Sequence, residues 1–252
     1  GELPWRVLDG CDHLAVDLRG AFAAFHGGDH ASCPVDLGGG RDEGLANRGD
    51  LLGMNAQLCA VAKCARECEI SEEAPFVTDG WRDAGDRLVA EGGPAELELD
   101  VPSAPTIEEA EVASAGNPWH DRHPFPGCFG CGPERTQDEA VAVVMGPLAG
   151  RDVFAAPWTP LAEFAGANGA VSPLFVWAAL DCPTGLVHLA DGGSALLGRL
   201  TLAQHRTPAP GEQHVIVAAA TGAERRKRYS TAALYTAAGD LVAHCAAIWI
   251  TI

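Results

Sequence analysis

The stretch "PLFVWAALDCPTGLVHLA", residues 173–190, constrains this chain more than any other. It has helical length, and its apolar residues from Val176 through Leu180 look like the buried side of a helix. Pro173 suits a first helical turn, and Ser172 stands where a cap belongs. Pro183 lacks an N–H and leaves the carbonyl of Ala179 without its usual partner, so a kink or break is expected there. Inside this run sits one carboxylate, Asp181, followed by Cys182. A buried helix needs a sheet to cover it. "AVAVVM" (140–145) and "DVFAAPWT" (152–159) read as strands joined by the turn "GPLAGR". After the helix come four more strand-like segments, 195–206, 212–224, 227–239 and 241–252. "TPAPG" separates the first two and "AAGD" is a hairpin turn between the last two. Two strands, a long helix and four antiparallel strands make an α+β lobe.

Upstream, residues 99–127 carry a cluster of prolines, a short acidic helical piece ("TIEEAEVASA") and a loop rich in Pro, His and aromatics. This punctuation divides the chain into an N-terminal lobe (1–103), a linker (104–127) and a C-terminal lobe (128–252). In the N-terminal lobe, 42–67 reads as a long helix and 87–101 as one long strand with a glycine bulge. "AGDRLVA" at 84–90 closely matches "AGDLVA" at 238–243, and each precedes the last strand of its lobe. That match points to duplication, with a trimmed first copy.

Charge narrows the function classes. The formal net charge is −17, which repels the phosphates of duplex nucleic acid. An anionic ligand therefore needs a local basic patch, and "ERRKRY" supplies one with Arg225, Arg226, Lys227 and Arg228. Its other reading is a solvated hairpin end. No apolar run approaches the roughly 20 residues of a membrane span, and "GELPWRVLDG" lacks a signal-peptide pattern. Nine cysteines, an odd number in a chain of 252 residues, read as mostly reduced thiols of a cytoplasmic protein.

Several groups could carry chemistry. Asp181 could activate water or attack a carbonyl, or it could simply cap a turn by accepting an N–H from Thr184. Thr184 could hold water beside it or serve as a turn hydroxyl. Cys182 could be a nucleophile, but no His base lies near it in sequence, so packing is expected. "HDRHPFPGCFGC" places His120 and His123 before Cys128 and Cys131 at workable zinc-ligand spacing. "HGGDHASC" (26–33) is a weaker cluster, and Cys64 and Cys68 sit one helical turn apart as buried thiols would. Phe175, Trp158 and Trp177 are core residues on pattern, and Asn168 in "GANGA" is a turn residue in a loop that could gate entry.

The quoted segments also carry a resemblance. "CFGCGP" (128–133), "APWTP" (156–160), "FVWAALDCPTG" (175–185), "LLGRL" (196–200) and "ALYTAAGDLVAHCAAIWI" (233–250) resemble hot-dog-fold acyl-CoA thioesterase-like proteins of the actinobacterial branch. The resemblance is strongest over 123–252 and weaker over 82–110. It implies a double hot-dog, each lobe a long central helix wrapped by a curved antiparallel sheet, with a degenerate N-terminal lobe. It further implies hydrolysis of an acyl-CoA thioester, with Asp181 as base or nucleophile, Thr184 assisting, and helix N–H groups stabilising the oxyanion. Trp177 and Asn168 would line or gate an acyl pocket, while Arg226, Lys227 and Arg228 would pair with coenzyme A phosphates. Coenzyme A would enter as part of the substrate, with no separate cofactor. The family element accounts for the Cys pair, so no metal is expected. Hot-dog units pair, which points to a homodimer. The His-Gly-Gly that precedes the helix in phenylacetate-pathway members is replaced by "GAVSP". That departure supports an alternative: an acyl-CoA-binding or lipid-binding hot-dog protein without turnover, acting as a sensor or partner subunit.

Overall fold

The computed structural model describes the backbone of residues 13–17, 81–82, 88–95 and 97–252, apart from 167 and 191. The helix expected over 42–67 and the clusters at 26–33 and at Cys64/Cys68 lie outside the described residues. The strands are β1 (His13–Asp17), β2 (Trp81–Arg82), β3 (Leu88–Pro94), β4 (Gly146–Pro147), β5 (Phe154–Trp158), β6 (Ala195–Gln204), β7 (His214–Glu224), β8 (Lys227–Thr236) and β9 (Leu241–Thr251). The helices are α1 (Ile107–Ala115) and α2 (Pro173–Leu186), with a 3₁₀ turn at Ala162–Phe164. One antiparallel sheet runs in the order β2-β3-β1-β6-β9-β8-β7-β5-β4.

α2 lies across the middle of this sheet, against β6, β7, β8 and β9. The sheet curls around it with the help of three bulges. Single extra residues stand at Gly198 opposite β9, at Thr221 opposite β8 and at Val242 opposite β8. Each bulge increases the local twist. At Gly198 the missing side chain lets the backbone carbonyl of Ile248 approach, since a Cβ there would sit 3.1 Å from it. The C-terminal lobe thus has the helix-in-curved-sheet form expected from the sequence.

The far side of α2 is also covered. Trp119, Phe129, Val141, Val143 and Met145 join Phe175, Trp177 and Leu180 in one core cluster. Every residue of α2 from Phe175 to Leu186 is buried as a result. Burial thus exceeds the single buried side read from the sequence, because the segment carrying Trp119 and Phe129 covers the face the sheet leaves open. Each large side chain buried this way contributes about 1.5–3 kcal/mol. On the opposite face of the sheet, α1 packs Ala110 and Ala113 against Leu148, Ala155 and Val215. The acidic piece read from the sequence is α1, and it starts with a capping box. Thr106 Oγ1 accepts the N–H of Glu109, and Glu109 accepts the N–H of Thr106.

Three local expectations are corrected. The stretch 140–145 is not a sheet strand. Val141 N–H donates to the carbonyl of Phe129 and Val143 N–H to that of Gly130, so it pairs with the "CFGC" loop, and only Gly146–Pro147 reaches β5. The long strand expected over 87–101 stops at Pro94, and its bulge against β2 falls at Val89, while Gly92 and Gly93 pair regularly with β1. Ser172 occupies the N-cap position of α2 but makes no side-chain cap bond. The helix ends at Leu186 in tighter turns, with His188 N–H donating to Gly185 and Leu189 N–H to Leu186.

Candidate functional site

The second half of α2 carries two fully buried polar side chains, Asp181 and Thr184. Asp181 is wholly buried, and neither of its carboxylate oxygens has a hydrogen-bond partner. Burial raises its pKa well above the ordinary carboxylate value, and the neighbouring Cys128 adds to the rise. The cap role considered for Asp181 runs the other way round. Thr184 Oγ1 donates to the backbone carbonyl of Asp181 at 2.6 Å, and the carboxyl group takes no part. The same hydroxyl accepts the indole N–H of Trp249 at 2.8 Å, and the carbonyl of Thr184 accepts from Ser230 Oγ at 2.6 Å. Thr184 therefore fastens α2 to β8 and β9. One residue on, Gly185 lets the Trp249 ring lie flat against the helix, because a Cβ there would come within 2.7–2.8 Å of ring carbons.

A second group of reactive atoms gathers on the neighbouring turn. The Sγ atoms of Cys128, Cys131 and Cys182 all lie within 4.8 Å of one another, and none is in a disulfide. Cys128 Sγ stands 3.6 Å from Cys182 Sγ, and Cys131 Sγ stands 3.2 Å from His123 Nε2. The turn that presents two of these thiols is stiff. Gly132 N–H donates to the carbonyl of Cys128 at 2.8 Å, and a side chain at Gly132 would collide with the backbone of Pro126 and Cys128. His123 is positioned by the N–H of Phe125, which donates to its Nδ1 at 3.0 Å, and burial lowers its pKa. The four residues border a small cavity of about 10 Å³ that Phe125, Leu186 and Trp249 also line. That is room for about one water-sized sphere. His120, the other histidine considered with the pair, is exposed beside Asp121 and stands apart.

The structure brings Cys182 to the Cys128/Cys131 pair, a grouping the sequence reading did not make. The partners are 54 residues apart, and no local pattern links them. Cys245 lies elsewhere in the core, with its thiol toward the carbonyl of Leu180, and burial pushes its pKa up.

The remaining sequence candidates are spread out. Trp177 is buried in the main core cluster. Asn168 is exposed, and its Oδ1 accepts the N–H of Ala170 at 2.8 Å, an Asx turn. Arg225 sits at a positive φ of 53° in the turn joining β7 to β8. Next to it, Arg226 donates to the carbonyl of Thr251, and Arg228 donates to those of Arg225 and Lys227. Arg226 and Lys227 are exposed, and Arg228 is half-buried. The basic hairpin stands near the end of α2: Arg228 pairs across the sheet with Trp249, and its charge is felt by His188 just beyond the helix. Among the described residues no helix is long and apolar enough to cross a membrane.

No family model matches the chain, and no curated protein matches it. Solved structures do. The protein RHA08564, of the thioesterase superfamily, is 20% identical, with 47% of this chain and 60% of that one aligned at a TM-score of 0.42. The PaaI protein of the Escherichia coli phenylacetic acid degradation operon is 11% identical over 56% of this chain and 96% of its own, at a TM-score of 0.45. A Streptococcus mutans protein solved with acetyl-CoA is 12% identical over 43% of this chain and 86% of its own, at 0.40.

Proposed function

We propose that this chain is a double hot-dog protein that hydrolyses an acyl-CoA thioester, with Asp181 as base or nucleophile. The observation that carries the reading is Asp181 itself. A fully buried carboxyl with neither oxygen hydrogen-bonded costs stability, and reaction centres are where proteins retain such groups. It sits in "AALDCPTG", the segment that resembles the catalytic helix of hot-dog thioesterases. Once ionised in low-dielectric surroundings, it is a stronger base than a carboxylate in water. As base it takes a proton from water, whose oxygen bonds to the thioester carbon. The C–S bond then breaks, and the coenzyme A thiolate leaves and takes up the proton held by Asp181. Thr184 holds the helix backbone at Asp181 in place. The exposed Arg226 and Lys227, with the half-buried Arg228, offer charge to the coenzyme A phosphates near the end of α2. Trp177 and Asn168 belong to this reading as a pocket wall and an entry loop. It further expects a cytoplasmic protein that pairs with a second copy and needs no separate cofactor.

A second reading is an acyl-CoA-binding hot-dog protein without turnover. The complete burial of α2 from Phe175 to Leu186 favours it, because a substrate carbonyl must reach the helix. The test is release of coenzyme A thiol from a panel of acyl-CoAs by wild type and Asp181→Asn. Turnover lost in the variant supports hydrolysis through Asp181, and equal turnover in both removes that role. Calorimetric binding without turnover supports the second reading. Neither binding nor turnover rejects both.

A further inference from the structure

We propose that His123, Cys128, Cys131 and Cys182 form a structural zinc site that fastens the loop before the C-terminal lobe to α2. The site is independent of the thioester reading above.

The donors are the first argument. Three sulfurs from two separate segments converge within 4.8 Å of one another, and an imidazole nitrogen stands 3.2 Å from one of them. Three thiolates and a histidine are a standard structural zinc set. Around a tetrahedral zinc with bonds of about 2.3 Å to sulfur, ligand sulfurs are about 3.8 Å apart. Cys128 and Cys182 are 3.6 Å apart, close to that edge. A disulfide would need about 2.05 Å. The cavity they border has room for about one water-sized sphere.

The frame is the second argument. The Cys-Phe-Gly-Cys-Gly turn is closed by the Gly132-to-Cys128 hydrogen bond, and the carbonyls of Phe129 and Gly130 are taken by Val141 and Val143. Two thiols are thereby aimed at one point before any metal arrives. The third comes from α2, a rigid and wholly buried element. Preorganisation of this kind reduces the ordering cost of binding.

The chemistry balances without a redox partner. Three thiols release three protons to solvent as three zinc–sulfur bonds form. His123 accepts the Phe125 N–H at Nδ1, so its proton sits on Nε2 in the metal-free ring. Coordination through Nε2 moves that proton to Nδ1 and gives up the Phe125 bond. His123 is therefore the weakest of the four ligands. Soft thiolates in a closed tetrahedral cage select zinc over magnesium or calcium.

The experiment is metal analysis of the full chain purified without chelator under reducing conditions. The expected result is a single zinc per chain. After chelation, added Co²⁺ should give a thiolate-to-cobalt charge-transfer band and tetrahedral d–d absorption. Cys128→Ser, Cys131→Ser and Cys182→Ser should each weaken zinc binding by at least roughly tenfold, His123→Ala by less, and Cys245→Ser not at all. Should the serine variants fail to fold, alkylation of the wild type read by mass spectrometry decides. Zinc should protect Cys128, Cys131 and Cys182 relative to the metal-free chain. Equal labelling in the two states, no uptake of zinc or cobalt by the reduced wild type, or full zinc content in all three serine variants would overturn the site.

Discussion

Gly185→Ala probes how tightly α2 is seated on the sheet. Inside a helix, alanine is better than glycine by about 0.8–1 kcal/mol, so propensity alone predicts stabilisation. The structure predicts the reverse. The new methyl carbon would stand 2.7–2.8 Å from three carbons of the Trp249 ring. That ring has nowhere to go: it is buried, and its N–H is bonded to Thr184 Oγ1 at 2.8 Å. Overpacking a filled core costs about 1–3 kcal/mol; three close contacts with a pinned ring put this case at about 2–3 kcal/mol, so the net loss is about 1–2 kcal/mol. At about 2–4 °C per kcal/mol for a chain of this size, Tm falls by about 2–8 °C. Thermal unfolding followed by circular dichroism measures it. Gly222→Ala is the control, because a Cβ there meets only Tyr229 Cδ2 at 3.8 Å. In a double-mutant cycle, Gly185→Ala with Trp249→Phe should lose less than the sum of the single changes, since the smaller ring relieves the clash. A Gly185→Ala protein as stable as wild type would refute the packing argument.

The other predictions follow from single contacts. Thr184→Ala leaves the Trp249 N–H buried without its acceptor and should cost about 1–3 kcal/mol in urea unfolding. Tyr235→Phe removes the bond from its hydroxyl to the carbonyl of Pro102 and should cost about 1 kcal/mol by the same measurement. Burial holds the pKa of His214 below 6.5, outweighing the opposing pull of its bond to the Glu212 carbonyl and of the Glu212 charge. Between that lowered value and 6.5 the unfolded chain binds more protons than the folded one. Stability should therefore be full above pH 6.5 and decline on acidification through this window, and His214→Phe should flatten the slope. Replacing Arg226, Lys227 and Arg228 together by Ala should leave the fold intact and weaken coenzyme A binding about 3- to 150-fold at low salt, from about 0.2–1 kcal/mol for each of the three charges. The difference should shrink as salt screens it, and unchanged binding at low salt would remove the hairpin from the site.

What was legible in the sequence was local. Pro173 and the apolar run specify a helix, and α2 forms there; the break expected at Pro183 does not occur, since the helix continues to Leu186 and is buried from Phe175 onward. β5 to β9 fall within a few residues of their expected bounds, because alternation and turn residues act on near neighbours. The capping box of α1 spans only four residues, within reach of any local reading. Residues 140–145 show where local reading ends. Their composition suits a strand, but the partner that claimed their N–H groups was the "CFGC" loop, not the sheet.

The site divides along the same line. That Asp181 is unusual could be read from one carboxylate in an apolar run. That neither of its oxygens is hydrogen-bonded depends on which groups surround the helix, and those come from loops and strands far along the chain. Thr184 looked like a turn hydroxyl until Trp249, 65 residues away, supplied its partner. Cys182 looked like packing until the fold set it 3.6 Å from Cys128. By itself the sequence determined the elements, since backbone propensity and hydrophobic period are short-range. Only the tertiary structure decided which thiols, hydroxyls and carboxyls meet. Those meetings are set by how the sheet curls around α2 and how the loop closes over it, and no sequence spacing encodes them.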